Sequence, residues 1–260
     1  MKWIPCSTPR VKWLTNHRCH DYMHLAERWL RVAKRADIEA REFARAGSIP
    51  LLMLESRAAA AGEPLIYLSS GVHGDEAGSA CGLLAWAEAN IALLKEDAFL
   101  IFPCLNPQGL MLNTRADHRG LDLNRRFHLA DDEVCGPWQL AVANRRIKLG
   151  LCLHEDYDAQ GAYVYELGGQ SEAISPAMLK EVARILPLDT RTEIDGRAAA
   201  HGVIRPRRIP KNLPGMPEAI ELYRRGCQVT LTFETPSEAA LDLRIAAHQA
   251  FITTAIESIA

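Results

Sequence analysis

A histidine and a glutamate spaced H-x-x-E can hold a borderline cation such as zinc, and this chain carries the spacing twice. One copy is His73 to Glu76, inside SSGVHGDEAG at residues 69–78; the other is His24 to Glu27. Their surroundings differ. His24 and Glu27 fall on the polar side of a predicted helix, amid Arg28 and Arg31, where an ordinary solvated face explains them. His73 and Glu76 follow the apolar run LIYLS, with Gly71 and Gly74 permitting a tight or positive-φ turn before a predicted helix. In an open α/β sheet, pockets form at strand ends. The plainer alternative is a turn histidine beside a helix-capping acid, Asp75 or Glu76.

A catalytic zinc site usually needs a third protein ligand and an open position. His154 stands directly after the apolar run LGLCL, a second strand end, in LCLHEDYD. His17, His20, His118, His128, His201 and His248 lack that placement. Two strand ends meeting across a sheet would join His73, Glu76 and His154 as a His₂Glu site; a buried structural histidine is the other reading of His154. Water activated at such a site needs a group to take its proton. Glu234 ends the run QVTLTF and precedes Thr235–Pro236, where the chain must leave the strand. It suits a general base, or a cap for the last helix. Charge developing on a carbonyl oxygen can be met by a guanidinium, and NTRADHRGLDLNRRF offers Arg115, Arg119, Arg125 and Arg126. Asn124 and Arg125 could clamp a carboxylate; the arginines could equally form a surface network with Asp117 and Asp122. Glu155 and Asp156 could favour an amine-bearing substrate residue, or be solvated or paired with Arg126.

Elements must bring these groups together. Apolar periodicity predicts helices from Tyr22 to about Ala44, over Ala77–Ala87, Trp138–Arg146 and Pro176–Ile185, and from Ala239 to Ile259. In the first helix, Tyr22, Leu25, Ala26, Trp29, Leu30 and Ala33 form the apolar side, and Arg28, Arg31, Lys34 and Arg35 the other. Short apolar runs predict strands at Ile49–Glu55, Pro64–Ser69, Ala98–Cys104, Leu149–Leu153, Gly161–Glu166 and Cys227–Phe233. SRAAAAGE reads as a bend and Asn106–Gly109 as a turn. This alternation predicts one α/β domain, a mainly parallel or mixed sheet with helices on both faces. The irregular stretches Asn113–Gly136 and Pro187–Leu222 are the expected site walls.

The 260 residues, 48% hydrophobic, can bury a sizeable core. A formal charge of −2 does not suggest nucleic-acid binding. The main basic cluster, Arg205, Arg207 and Arg208, suits solvated surface or an anionic ligand. The start MKWIPCSTPR has no apolar signal core, and no apolar run is long enough to span a membrane. Seven cysteines without a C-x-x-C pair argue against a disulfide framework and for a reducing, cytoplasmic setting.

Together GVHGDEAG, DLNRRF, LHEDYD and TFETP resemble the zinc carboxypeptidases of the A/B type (the M14 family), especially the small bacterial branch near the succinylglutamate desuccinylase/aspartoacylase-like deacylases. The resemblance runs from about Ile49 to the C-terminus, so residues 1–48 form an N-terminal segment with an amphipathic helix and 49–260 the metallopeptidase-like core of a single catalytic domain, 1–260. It implies a mixed, roughly eight-stranded twisted α/β sheet and one Zn²⁺ per chain on His73, Glu76 and His154. It further implies Glu234 as general base, Arg115 as the arginine that polarises the scissile carbonyl, and Asn124 with Arg125 as the pair that holds a free α-carboxylate. Two departures stand out: Asp75 replaces the arginine of the digestive enzymes, and no tyrosine between Gly196 and Leu222 matches their mobile one.

The implied function is removal of a C-terminal residue from a small peptide or peptidoglycan-like peptide. Deacylation of an N-acyl amino acid is the alternative, and a catalytically inactive binding domain a third class that the complete set of candidate residues disfavours. The expected partner is the small substrate alone, without nucleic acid or membrane; the sequence does not address oligomeric state.

Overall fold

The computed structural model describes residues 18–168, 173–206, 208–209 and 213–259. Arg207 and His17, named above, lie outside them, as does Cys6, one of the seven cysteines. The strands are β1 (Glu39–Ala46), β2 (Ile49–Glu55), β3 (Leu65–Ser70), β4 (Phe99–Phe102), β5 (Ile147–Asp156), β6 (Tyr163–Gly168), β7 (Glu193–Ile194), β8 (Arg197–Ala198), β9 (Val203–Ile204) and β10 (Val229–Pro236). Eight form one sheet in the order β1-β2-β4-β3-β5-β10-β6-β9, and β7 and β8 make a separate ribbon. β4, β3, β5 and β10 run parallel, whereas β1–β2, β2–β4 and β10–β6 pair antiparallel. The sheet is mixed and eight-stranded, as expected.

Every residue of β3 and β4 is buried, which requires cover on both sides of the sheet. Ile66, Leu68, Leu149, Leu151 and Leu153 pack with helix residues Trp29, Leu83, Leu84 and Phe251. The alternate residues Leu65, Tyr67 and Cys152 join Trp138 and Leu222 on the other face. The two-residue period of a strand thus sends successive side chains into two cores.

Several local expectations change. The first helix ends at Ala36, not near Ala44: Asp37 adopts a left-handed cap (φ 55°) and its N–H bonds the Ala33 carbonyl. EAREFARA then pairs with β2 as a hairpin, Ala46 opposite Ile49. Alanine, glutamate and arginine favour helix locally, and the long-range ladder overrides them. Arg28, expected on the solvated side, is buried and grips Glu88 through Nε and Nη2 at 2.8 and 2.5 Å; Leu30, expected inside, is exposed. The bend after Ser56 is a one-turn helix, Arg57–Ala60, and the turn at Asn106 opens the helix Pro107–Leu112, whose Gly109 N–H bonds Asn106 Oδ1 at 2.9 Å. The helix predicted at Trp138–Arg146 lies at Cys135–Val142, and a further one, Glu218–Arg224, begins in the stretch Pro187–Leu222 read as irregular and runs past its end. Arg205 Nε sits 3.5 Å from the buried Glu166, so it is not simply solvated surface. No disulfide links the described cysteines. No described helix is long and apolar enough to cross a membrane.

Candidate metal centre and substrate cavity

After β3 the chain turns at Gly71, whose φ of 61° favours glycine. Gly74 then passes so close to the helix Pro107–Leu112 that a Cβ there would lie 1.9 Å from the Gly109 carbonyl carbon. The tight turn delivers His73 and Glu76 to the sheet's edge. Glu76 begins the helix Ala77–Ala89 but makes no side-chain cap bond, which removes the capping explanation for it. Its carboxylate instead lies between two imidazoles.

β5 lies beside β3 and carries His154 to the same end, where it pairs in register with Glu234 of β10. His73 Nδ1 makes a very short contact with Glu76 Oε1, and His154 Nδ1 lies 3.0 Å from Glu76 Oε2. Glu76 Oε2 nevertheless has no hydrogen bond of acceptable geometry. One ligand atom from each of the three side chains falls within 4.8 Å of the others, and all three residues are buried. Ligands about 2.0–2.1 Å from a tetrahedral zinc stand about 3.3 Å apart, so a modest rearrangement of these donors would accept the ion. A buried carboxylate held between two imidazoles, with one oxygen left without a hydrogen bond, fits a cation better than a polar core. Among the described residues, Asp117, His118 and Glu133 also cluster, but Arg119 already lies there, 2.6 Å from Asp117 and 3.6 Å from Glu133.

The electrostatics agree. Burial works against a charge on His73, but Glu76 and Asp122 outweigh it and raise its pKa to about 9. Burial likewise opposes ionisation of Glu76, and the two histidines overcome it, taking the pKa to about 2. The carboxylate is therefore ionised at neutral pH. Burial pushes Glu234 up to about 8; His154 pulls against this, while Glu76, Asp156 and Asp195 add to it. A dication among the same groups would lower that value and favour the basic form.

A cavity of about 470 Å³ opens from these residues, lined by His73, Glu76, His154, Glu234, Arg115, Asn124 and Arg125, so all seven singled-out residues meet there. The two irregular stretches wall it, the second through residues such as Arg197, Pro206, Leu213 and Ala219. Arg115 Nη1 lies 3.2 Å from His73 Nδ1. Asn124 is partly committed, because its Oδ1 accepts the Glu218 N–H at 2.9 Å. Arg125 Nη1 bonds the Asn124 carbonyl at 3.0 Å, and its own carbonyl accepts Met216 N–H at 2.9 Å. His24 and Glu27 are not among the lining residues. His248 is buried in the last helix with a pKa lowered by burial to about 3.

Sequence reasoning offered Asp122 only as a partner for the arginines, which it is for Arg115, and missed its contact with His73. Its Oδ1 lies 3.2 Å from His73 Nε2 and its Oδ2 accepts Arg115 Nε and Nη2 at 3.2 and 3.1 Å. This contact orients the His73 ring so that Nδ1 faces Glu76, as partners of metal-bound histidines commonly do. Despite burial, His73 and Arg115 hold Asp122 well below the usual carboxylate range. The only signal was its place beginning DLNR. Tyr163 and Tyr165, which the sequence does not single out, line the cavity, with hydroxyls donating to Asp156 and Asp195 at 2.9 and 2.7 Å. Their position follows from register: Glu234 stands opposite Tyr163 and Thr232 opposite Tyr165. The suggested pairing of Glu155 or Asp156 with Arg126 is not found. Arg126 Nε bonds Asp132 at 2.7 Å, Glu155 is paired with Arg244, and Asp156 accepts from Tyr163.

Residues 63–148 match the sequence profile of the succinylglutamate desuccinylase/aspartoacylase catalytic domain. No protein of curated function matches the chain by sequence. Among solved structures, a provisionally named metallopeptidase of Shewanella amazonensis superposes with a TM-score of 0.82 at 22% identity, covering 93% of this chain and 94% of that one. A metallo-carboxypeptidase from Burkholderia cenocepacia gives 0.66 at 16% identity over 90% of this chain and 68% of its own. Carboxypeptidase A from Helicoverpa armigera gives 0.66 at 14% identity over 92% and 73%. The fold is that of the metallo-carboxypeptidases, and the profile match over residues 63–148 bears out the resemblance to the neighbouring deacylases.

Proposed function

We propose that the chain is a zinc-dependent amide hydrolase that removes the C-terminal residue of a small peptide or peptidoglycan-like peptide. The observation that carries this reading is one cavity holding the His73–Glu76–His154 cluster, Glu234 in register beside His154, and the guanidinium of Arg125. A zinc ion on the cluster, one per chain, would polarise the scissile carbonyl and acidify the attacking water. Glu234 takes the proton of that water on a carboxylate oxygen and passes it to the departing amine. Arg115, aligned by Asp122, meets the charge that grows on the carbonyl oxygen. Arg125, with Asn124, receives the substrate's free carboxylate one residue beyond the bond that breaks.

If Arg115 acts on the developing charge, Arg115→Ala lowers kcat more than it raises KM, by about 3 kcal/mol of transition-state stabilisation. Steady-state kinetics check this. A change confined to KM would make Arg115 a ground-state binding group.

The carboxylate clamp decides the reading. A planar guanidinium meets a carboxylate through two parallel bonds that lysine cannot reproduce. Matched peptides with free or amidated C-termini, assayed with the parent and Arg125→Lys, test it. The parent should prefer the free acid strongly, and the variant should lose most of that preference while keeping its metal. Equal cleavage of both peptides by the parent rules the carboxypeptidase reading out. The profile match over residues 63–148 favours a second reading, deacylation of N-acyl amino acids. Hydrolysis of N-succinyl or N-acetyl amino acids with neither peptide cut would establish it.

A further inference from the structure

We propose that Glu155 and Arg244 are positioning residues that lock the candidate ligands and base into one arrangement; this rests on the metal-centre reading above. Strand alternation sends the side chains of His154 and Glu234 toward the cavity and turns those of their register-paired successors, Glu155 (which still borders the cavity) and Thr235, to the other face. There the side chain of Glu155 is wholly buried. Its Oε2 accepts Gly78 N–H at 2.9 Å and Arg244 Nη1 at 2.8 Å, and its Oε1 accepts the Thr235 hydroxyl at 3.2 Å. His248 Nε2 lies 3.3 Å from that hydroxyl; a ring protonated at Nε2 donates to it and directs the threonine proton onto Glu155.

Glu155 and two of its partners, Gly78 and Thr235, are each a short covalent step from a site residue. Glu155 follows His154, Gly78 comes two residues after Glu76, and Thr235 follows Glu234. One carboxylate therefore ties together the three chain segments that present both ends of the ligand cluster and the base. Arg244, from the helix Leu241–Glu257, supplies the compensating charge that a buried carboxylate requires. The fit leaves no slack. A Cβ on Gly78 would lie 2.1 Å from Glu155 Oε1. An apolar side chain could fill the volume, but it could not hold donors from three elements at once. Partners that orient metal ligands typically change metal affinity when removed.

The test uses the full chain carrying Glu155→Ala, Glu155→Gln or Gly78→Ala. Zinc affinity is measured by chelator competition, ligand geometry by the visible spectrum after cobalt substitution, and melting on metal-free protein. Glu155→Ala and Gly78→Ala should weaken zinc binding about 10–100-fold, alter the cobalt spectrum and lower kcat at saturating zinc with little change in KM. Glu155→Gln should restore most of the affinity, because glutamine can still accept from Gly78 and Arg244 and donate to Thr235. A folded Glu155→Ala protein that melts earlier but keeps the parent's zinc affinity and cobalt spectrum overturns the proposal and leaves a purely structural role. If Glu155→Ala does not fold, Gly78→Ala decides by the same measurements. A parent that binds no zinc would overturn the metal reading together with the inference; a zinc-binding parent with unaffected variants overturns the inference alone.

Discussion

Glu234→Gln should keep zinc and substrate binding and lose about 10²–10⁴ in kcat, the usual contribution of a general base. The substitution nearly preserves shape while removing the basic carboxylate. Glu234 is half-buried two residues before the end of β10, opposite Tyr163 on one side and His154 on the other. Two ladders hold its backbone, so a glutamine there should not disturb the cluster. Metal content by elemental analysis and kinetics with the free-acid peptide check the expectation. A variant within about threefold of the parent would assign the proton transfer elsewhere. Glu155 is a poor substitute, because Gly78, Arg244 and Thr235 already engage its carboxylate.

His73→Ala and His154→Ala should each lose most of the zinc, while His24→Ala keeps it. A site reduced to two protein ligands lacks the donor set of a catalytic centre. Each change also leaves Glu76 buried without one of the imidazoles that keep it ionised. Zinc uptake by the parent at pH 7 should release protons. Without metal, His73 titrates near pH 9 and is protonated at pH 7, yet only the neutral ring can ligate. Apparent affinity should therefore rise with pH up to about that value. Calorimetry in buffers of different ionisation enthalpy reads the proton count directly. Full zinc occupancy in a protein lacking both His73 and His154 would remove the assignment, and zinc lost equally from His24→Ala would deny it specificity.

Much of the candidate site was legible because strand ends are marked locally. An apolar run followed by a histidine or glutamate and a turn residue placed His73, His154 and Glu234, and the structure brings them into one cavity. The strands near them were also visible, since buried parallel strands are continuous apolar runs: the run Pro64–Ser69 falls within one residue of β3 at either end. Where local preference and tertiary pairing disagreed, the sequence misled. EAREFARA favours a helix residue by residue, yet its hairpin with β2 makes it the edge strand β1.

The sequence by itself determined which chemistry to look for, because the candidate ligands and candidate base and their places beside strand ends are written in consecutive residues. Only the tertiary structure decided which polar groups serve it. Asp122 reaches His73 across 49 positions, Arg244 reaches Glu155 across 89, and Tyr163 meets the cavity through its register with Glu234. The physical reason is that a hydrogen bond or ion pair depends on distance in space. A charged residue in a polar run looks the same whether the fold leaves it in water or closes it against a buried partner.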